Sequence, residues 1–425
     1  MRRSILLSAA PAALLALSAA SAQTQPDPSA VMSTYADIAH AMYADSLSAA
    51  RALDAAIQDL VADPGEETLA AAREAWLAAR VPYQQTEVYR FGNPIVDDWE
   101  GRVNAWPLDE GLIDYVDTSA YGEMSDENLF YTANVIANPE FTFGGTTIDA
   151  SSITPALLQD ELHEVDGVEA NVATGYHAIE FLLWGQDLNG TEAGAGDRPA
   201  SDFDPANCTG GNCERRIEYL TAASDLLISD LEEMVANWAE GGAARETVMA
   251  DPEVAGPSAI VTGLGSLSYG ELAGERMQLG LLLHDPEEEH DCFSDNTHYS
   301  HYYDQMGMQA VYTGEYTRTD GSVVSGPSFG DLVAAADPAL HEEIMARLAA
   351  TNSAMEVMVE TAEGGMAYDQ MLGEGNDEGN AILQEVIDSL VAQAESFEQA
   401  VVVLDLEIGP FEGSDSLDDP NAVFQ

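Results

Sequence analysis

The chain of 425 residues contains no lysine. Its 14 basic residues are all arginine, against 75 aspartates and glutamates, for a net charge of -61. That balance argues against nucleic acid as a partner, since phosphate contacts need a basic patch, and disfavours anionic membrane surfaces for the same reason. The acidity reads first as a solvated coat and second as an attraction for cations. Cysteine is scarce, with three in all. Cys208 and Cys213 share a polar loop, Asn207-Cys-Thr-Gly-Gly-Asn-Cys213, and read as a local disulfide in an exported protein. Two thiols without further ligands at matching spacing make a poor zinc site. Cys292 is left over, as a buried thiol or a metal ligand. Several enzyme motifs are missing: H-E-x-x-H, the G-x-S-x-G elbow, the P-loop and the EF-hand loop.

Long apolar runs are confined to the start. Met-Arg-Arg, an apolar stretch from Ser4 to Ala20 and the sequence Ala20-Ser21-Ala22 have the form of a secretory signal peptide, residues 1–22. The run is short for a membrane span, and no later segment is long and apolar enough to cross a bilayer. The expected location is periplasmic or outer-membrane-associated.

The rest reads as helix, with apolar residues recurring at three- and four-residue spacing. Helices are expected near 29–62, 66–91, 126–137, 153–165, 170–186, 213–240, 256–284, 297–314, 337–362 and 377–404. Short ribbons are expected at 140–148 and 321–325. Gly, Asp, Asn and Pro crowd residues 187–212. The predicted fold is all-α, in two bundle halves, 23–190 and 213–408, joined by a linker at 191–212. An acidic, frayed tail is expected at 409–425.

The most informative stretch is Gly175-Tyr-His-Ala-Ile-Glu-Phe-Leu-Leu-Trp184. His177 and Glu180 lie three residues apart in an otherwise apolar run, so a helix puts them on one face. A helix apolar all round is normally buried, and buried ionisable groups are costly unless paired or bound to a metal. On the second predicted helix, Trp76, Arg80, Tyr83, Glu87 and Arg90 fall within one arc of the wheel. Asn104-Ala-Trp-Pro-Leu-Asp109-Glu110 mixes aromatic and acidic residues. The segment 286–298 holds Glu288, Glu289, His290, Asp295 and His298, and carboxylates with imidazole suit iron, zinc or manganese.

Gly175-x-His177-x-x-Glu180 resembles the G-x-H-x-x-E signature of the imelysin family, the peptidase-M75-like proteins. The resemblance extends to Tyr83–Phe91, to 104–115 and to 287–298, the last being similar to the iron-regulated branch. It implies an all-helical protein with the site between two bundle halves, exported and linked to iron acquisition, in which the H-x-x-E pair binds metal. The family name records an insulin-cleaving activity.

Three readings follow. In the first, the protein binds iron, or else zinc, through His177, Glu180 and Glu87 and assists an envelope iron-uptake system. Arg80, Tyr83, Arg90, Asp109, Glu289, His290, Asp295 and His298 would support the site or a ligand. In the second it is a metallopeptidase with Glu87 as general base. In the third, His177–Glu180 is a buried hydrogen-bonded pair in a module that binds a small ligand or a protein without metal.

Overall fold

The computed structural model describes residues 26–117, 132–143 and 146–424. The expected signal peptide lies outside the described residues, as does most of the helix expected at 126–137, whose last residues, 132–137, form turns. The first long helix, α1 (Pro28–Ala62), opens on Asp27, whose carboxylate accepts the Ser29 N–H at 3.1 Å. Asp63-Pro64-Gly65 reverses the chain, and α2 (Glu66–Gln84) packs along α1. Glu66 and Glu67 sit in its first turn, where the helix dipole favours negative charge.

α2 ends well short of the expected residue 91. Pro82 lies inside it, lacks an N–H and crowds the carbonyl one turn back. The chain leaves the helix after Gln84 and makes a tighter turn over Glu87–Tyr89. Glu87 and Arg90 therefore do not continue the stripe that carries Arg80 and Tyr83.

After α3 (Pro94–Asn104) and a hairpin of β1 (Glu140–Phe143) and β2 (Thr146–Asp149) comes α4 (Gly175–Trp184), buried at every position. It begins later than expected, on Gly175 at φ +77°. A Cβ there would stand 2.4 Å from the Val103 carbonyl oxygen, so α4 can lie against α3 only with glycine at this position. α5 (Cys213–Trp238) packs along α1 and against α4. Together α1, α2, α4 and α5 form the first bundle.

This placement corrects the predicted division of the chain. The sequence from 213 onward starts inside the first bundle, and the passage to the second lies beyond Trp238. The stretch at 191–212 is tied to the first bundle by a buried ionic network. Arg198 reaches Asp114 at 2.8 Å and Asp202 at 3.1 Å, and Arg216 of α5 holds the same Asp114 at 2.6 Å. Cys208 and Cys213 are disulfide-bonded at the start of α5, and Cys292 is a buried free thiol.

The second bundle contains α6 (Ala255–Ser266), α7 (Thr297–Thr313), α8 (Pro338–Glu363) and α10 (Asp377–Val403), with the short α9 (Tyr368–Leu372) before α10. α6 runs on as a wider π-type helix through Leu267–Gln278 and a last turn, Leu279–Leu283. A small hairpin, β3 (Glu315–Thr317) and β4 (Val323–Ser325), follows α7.

The acidic tail is docked rather than frayed. The Ser416 hydroxyl donates to the Gly274 carbonyl at 2.9 Å, the Tyr269 hydroxyl donates to Asp418 at 2.7 Å, and Ser414 and Ser416 are buried. Room for the tail comes from glycines on α6 and its wide continuation, since a Cβ at Gly265 would collide with the Phe411 ring and one at Gly274 with the Ser414 side chain. The two bundles meet where α2 lies against α7.

Candidate metal site at the junction of the bundles

His177 and Glu180 are both fully buried on α4, with His177 Nδ1 3.0 Å from Glu180 Oε2. The other Glu180 oxygen accepts two hydrogen bonds from Ser294, from its backbone N–H at 3.0 Å and its hydroxyl at 2.7 Å. Glu180 is thus engaged on both oxygens and orients the imidazole. Nε2 of His177 is buried without a partner. An imidazole held by a carboxylate on one nitrogen and open on the other is the usual arrangement of a metal-binding histidine.

Around the His177 ring the structure gathers residues from distant segments. One ring nitrogen from each of His177 and His290 and one carboxylate oxygen of Asp291 lie within 4.8 Å of one another, and all three residues are buried. The two histidine rings meet edge to face at 4.8 Å, and the Trp106 ring closes on His177 at 5.1 Å. Asn104 holds His290 at 3.2 Å through its amide nitrogen and accepts from Arg80 Nη1 at 2.6 Å through its oxygen. Arg80 also binds Asp291, with Nη2 to Oδ1 at 2.7 Å and Nε to Oδ2 at 3.3 Å. The guanidinium lies over the rings of Trp76, Tyr83 and Tyr176 at 5.1–5.6 Å. Asn296 and Ser300 complete the donors to Asp291.

The electrostatics follow from this packing. Burial, and then the Arg80 charge, push His177 well below the ordinary histidine value, and burial does the same to His290. Both imidazoles are therefore neutral at neutral pH, the form that binds a metal. Burial raises the Asp291 carboxyl, but the Arg80 charge, together with the Ser300 and Asn296 hydrogen bonds, holds it below the usual range. Burial and the nearby Asp291 raise Glu180 well above the usual range, a penalty that a bound cation would relieve.

Several expected site residues lie elsewhere. Glu87 is bound by Arg276 at 2.7 Å and is not grouped with His177. Arg276 also holds Glu271 at 2.8 Å and Asp304 at 3.2 Å, while Arg90 reaches Glu271 and Asp97 at 3.1 Å each. Glu87 and Arg90 thus belong to a separate ionic cluster, because the chain left its helix before reaching them. Asp109 is buried at the start of the short helix Glu110–Ile113, its N–H donating to the Ala170 carbonyl at 2.8 Å. His298 faces Glu363 at 3.8 Å. Glu289 and Asp295 point to a second group of acids. The structure places His290 beside His177 and the Tyr83 ring against the Arg80 guanidinium.

Sequence reasoning passed over Asp291, Asn104, Ser294 and Trp106. All four fall in the segments singled out at 104–110 and 286–298, but nothing in local spacing distinguishes Asp291 from its acidic neighbours. A cavity of about 560 Å³ opens beside the site. Its lining includes His290, Asn104 and Trp106, with Asp97, Asp98, Glu100, Glu164, Glu271 and Glu288 among its acids. It has the charge of a collecting vestibule for cations.

Fold and site together define an all-helical, double-bundle protein with a histidine–carboxylate pocket at the bundle junction. The chain belongs to the imelysin family, peptidase M75, whose sequence profile matches residues 39–397. Iron-regulated protein A of Synechococcus elongatus is 35% identical over 71 residues, which is 16% of this chain. The match spans only 20% of the length of that relative. Two solved structures share the fold. One, described as an iron-regulated protein A precursor of Parabacteroides distasonis, has a TM-score of 0.60 at 17% identity, covering 89% of this chain and 96% of its own. The other, an imelysin-like protein of Psychrobacter arcticum, has a TM-score of 0.56 at 16% identity, covering 90% and 97%.

Proposed function

We propose that this protein is exported to the cell envelope and binds iron in the His177 pocket as part of iron acquisition. The observation that carries the reading is the buried, unpartnered Nε2 of His177, on a ring grouped with His290 and Asp291. Two imidazoles and one carboxylate form a donor set suited to ferrous iron, and no thiolate is grouped with them among the described residues. The H-x-x-E pair divides the work: His177 supplies the ligand, and Glu180 fixes its tautomer and basicity. His290 is held by Asn104, and Arg80 sets the charge and position of Asp291. The acidic cavity draws the cation inward. The name of the Synechococcus relative and the N-terminal Ala20-Ser21-Ala22 pattern agree with an iron-linked, exported role.

Calorimetric titration of the mature chain with Fe²⁺ and Zn²⁺ tests this. One high-affinity site is expected, lost in His177→Ala and weakened about 10–100-fold in Glu180→Gln, as for other partners that orient metal ligands. Glu87→Gln should leave the affinity within a few-fold. Binding that survives His177→Ala belongs to the acidic coat and rejects the pocket. Chelator-sensitive cleavage of an unfolded protein substrate would move the reading to a metallopeptidase.

A further inference from the structure

Residues of the 287–298 segment also enter a second convergence of acids. Asp187 from the loop after α4, Asp295 just before α7 and Asp369 of α9 bring one carboxylate oxygen each within 4.8 Å of one another. Asp369 is 1% exposed, and neither of its oxygens has a hydrogen-bond partner. One oxygen of Asp295 is also buried without a partner, as is one of Glu289, itself 1% exposed. Asp187 is the exception, accepting from the Asn189 N–H at 2.8 Å and amide nitrogen at 2.7 Å.

The neighbouring side-chain charges felt by Asp295, Asp369 and Glu289 are all negative: Asp187 acts on Asp295, Asp295 and Asp187 on Asp369, and all three aspartates on Glu289. Ordinary buried acids carry a guanidinium or several donors, as Asp291 and Asp114 do in this chain. Beyond Asn189 at Asp187, the hydrogen-bond donors are few, the Thr297 hydroxyl near Glu289 and the Gln370 backbone near Asp369, and burying carboxylates without a counter-charge is unfavourable, so the arrangement calls for an absent positive charge. The ligand donors are all oxygen, which suits a hard divalent cation better than ferrous iron or zinc.

We infer that Asp187, Asp295 and Asp369, with Glu289 beside them, form a calcium site separate from the histidine pocket. Its ligands come from the first bundle, from the segment before α7 and from the second bundle, and backbone carbonyls and water would complete the 6–8 oxygens calcium takes. The ion clamps these three segments together. It also fixes from behind the stretch whose other face presents His290 and Asp291.

The test uses the mature chain after chelation, titrated with CaCl₂ or MgCl₂ by calorimetry, with melting temperatures measured in parallel. One calcium per chain is expected, with a higher melting temperature in calcium than in magnesium. Asp369→Asn should weaken calcium binding at least tenfold and abolish the thermal response, while His177→Ala keeps both. If Asp369→Asn does not fold, Asp187→Asn, at a partly exposed position, should show the same loss. Equal calcium binding in these variants and in the parent chain would assign the ion to the acidic coat and overturn the inference. So would a parent chain without calcium response, with Asp369→Asn more stable than the parent, since the carboxyls would then be sharing protons.

Discussion

Arg80 offers the sharpest test of how the pocket is held together. It is 1% exposed, ion-paired with Asp291, bonded to Asn104 and enclosed by three aromatic rings. Arg80→Met keeps most of the apolar stem and removes the charge. Asp291 then retains Asn296 and Ser300 but loses its ion pair with Arg80, and Asn104 loses the donor that fixes its grip on His290. Breaking a buried pair from one side typically costs about 3–5 kcal/mol. Against an overall stability of about 5–15 kcal/mol, the variant should still fold.

The pairing has a pH signature. In the parent chain Arg80 depresses the Asp291 carboxyl, so its stabilisation is present above the unfolded value of about 3.9 and lost as pH falls through the folded value. In the variant the pull of Arg80 is gone, and burial raises the carboxyl against the Ser300 and Asn296 hydrogen bonds. The difference in urea-unfolding free energy should therefore be full at pH 7 and narrow as the pH approaches about 4. Added metal supplies a second signature. A cation at about 100 times its Kd returns about 2.7 kcal/mol to a chain that binds it. The variant should gain more than the parent, because the cation also replaces the missing positive charge. A difference unchanged by pH and by metal would refute the reasoning and leave Arg80 as a packing element among the rings.

Three further outcomes follow from the structure. Gly175→Ala combines a positive φ with a Cβ 2.4 Å from the Val103 carbonyl oxygen; it should lose about 2–5 kcal/mol in urea unfolding, from left-handed strain and overpacking together. Asp230 is pushed up to about 6 by burial against the pull of Arg102. Ionising it therefore works against the fold, and Asp230→Asn should gain stability as pH rises from about 4 to 6, levelling above 6 at roughly 1–2 kcal/mol once the weakened Arg102 contact is discounted. Phe411→Ala should lower stability by about 1–2 kcal/mol and speed proteolysis of the tail, whereas a frayed tail would show neither effect.

The parts of this molecule legible in its sequence are those set by local rules. Helical periodicity marked the long helices, and Asp63-Pro64-Gly65 marked the first reversal. His177 and Glu180 stood out because two ionisable groups in an apolar run demand a partner, and the structure supplies one in Ser294 and another in the open pocket. Glu87 was misplaced by treating residues 66–91 as one continuous helix. Pro82 ended that helix within a turn, and the carboxylate swung to Arg276. The linker was misread for a related reason: a glycine- and aspartate-rich composition signals irregular backbone, but not whether buried arginines will pull that backbone into a bundle. Arg198 and Arg216, tied to Asp114 and Asp202, do so here.

The segment 287–298 shows where sequence reading gives out and what the fold adds. Its acids and histidines looked like one cluster, yet the chain turns so that neighbours in sequence face different sites. His290 and Asp291 enter the histidine pocket, Ser294 holds Glu180 from outside it, and Glu289 and Asp295 join Asp187 and Asp369. Asp295 sits in the left-handed region at φ +56°, which turns the chain between the Ser294 contact and α7. A short irregular strip thus forms a wall common to two clusters of unlike chemistry, one of imidazole and carboxylate and one of oxygen alone. An ion in the oxygen cluster would hold rigid the backbone that presents His290 and Asp291. Calcium should then sharpen iron affinity without touching a single iron ligand, and by linkage iron should sharpen calcium affinity by the same factor. Titrating Fe²⁺ with and without CaCl₂, and the reverse, reads both factors, and affinities unchanged in both titrations would show that the two faces of the strip act independently.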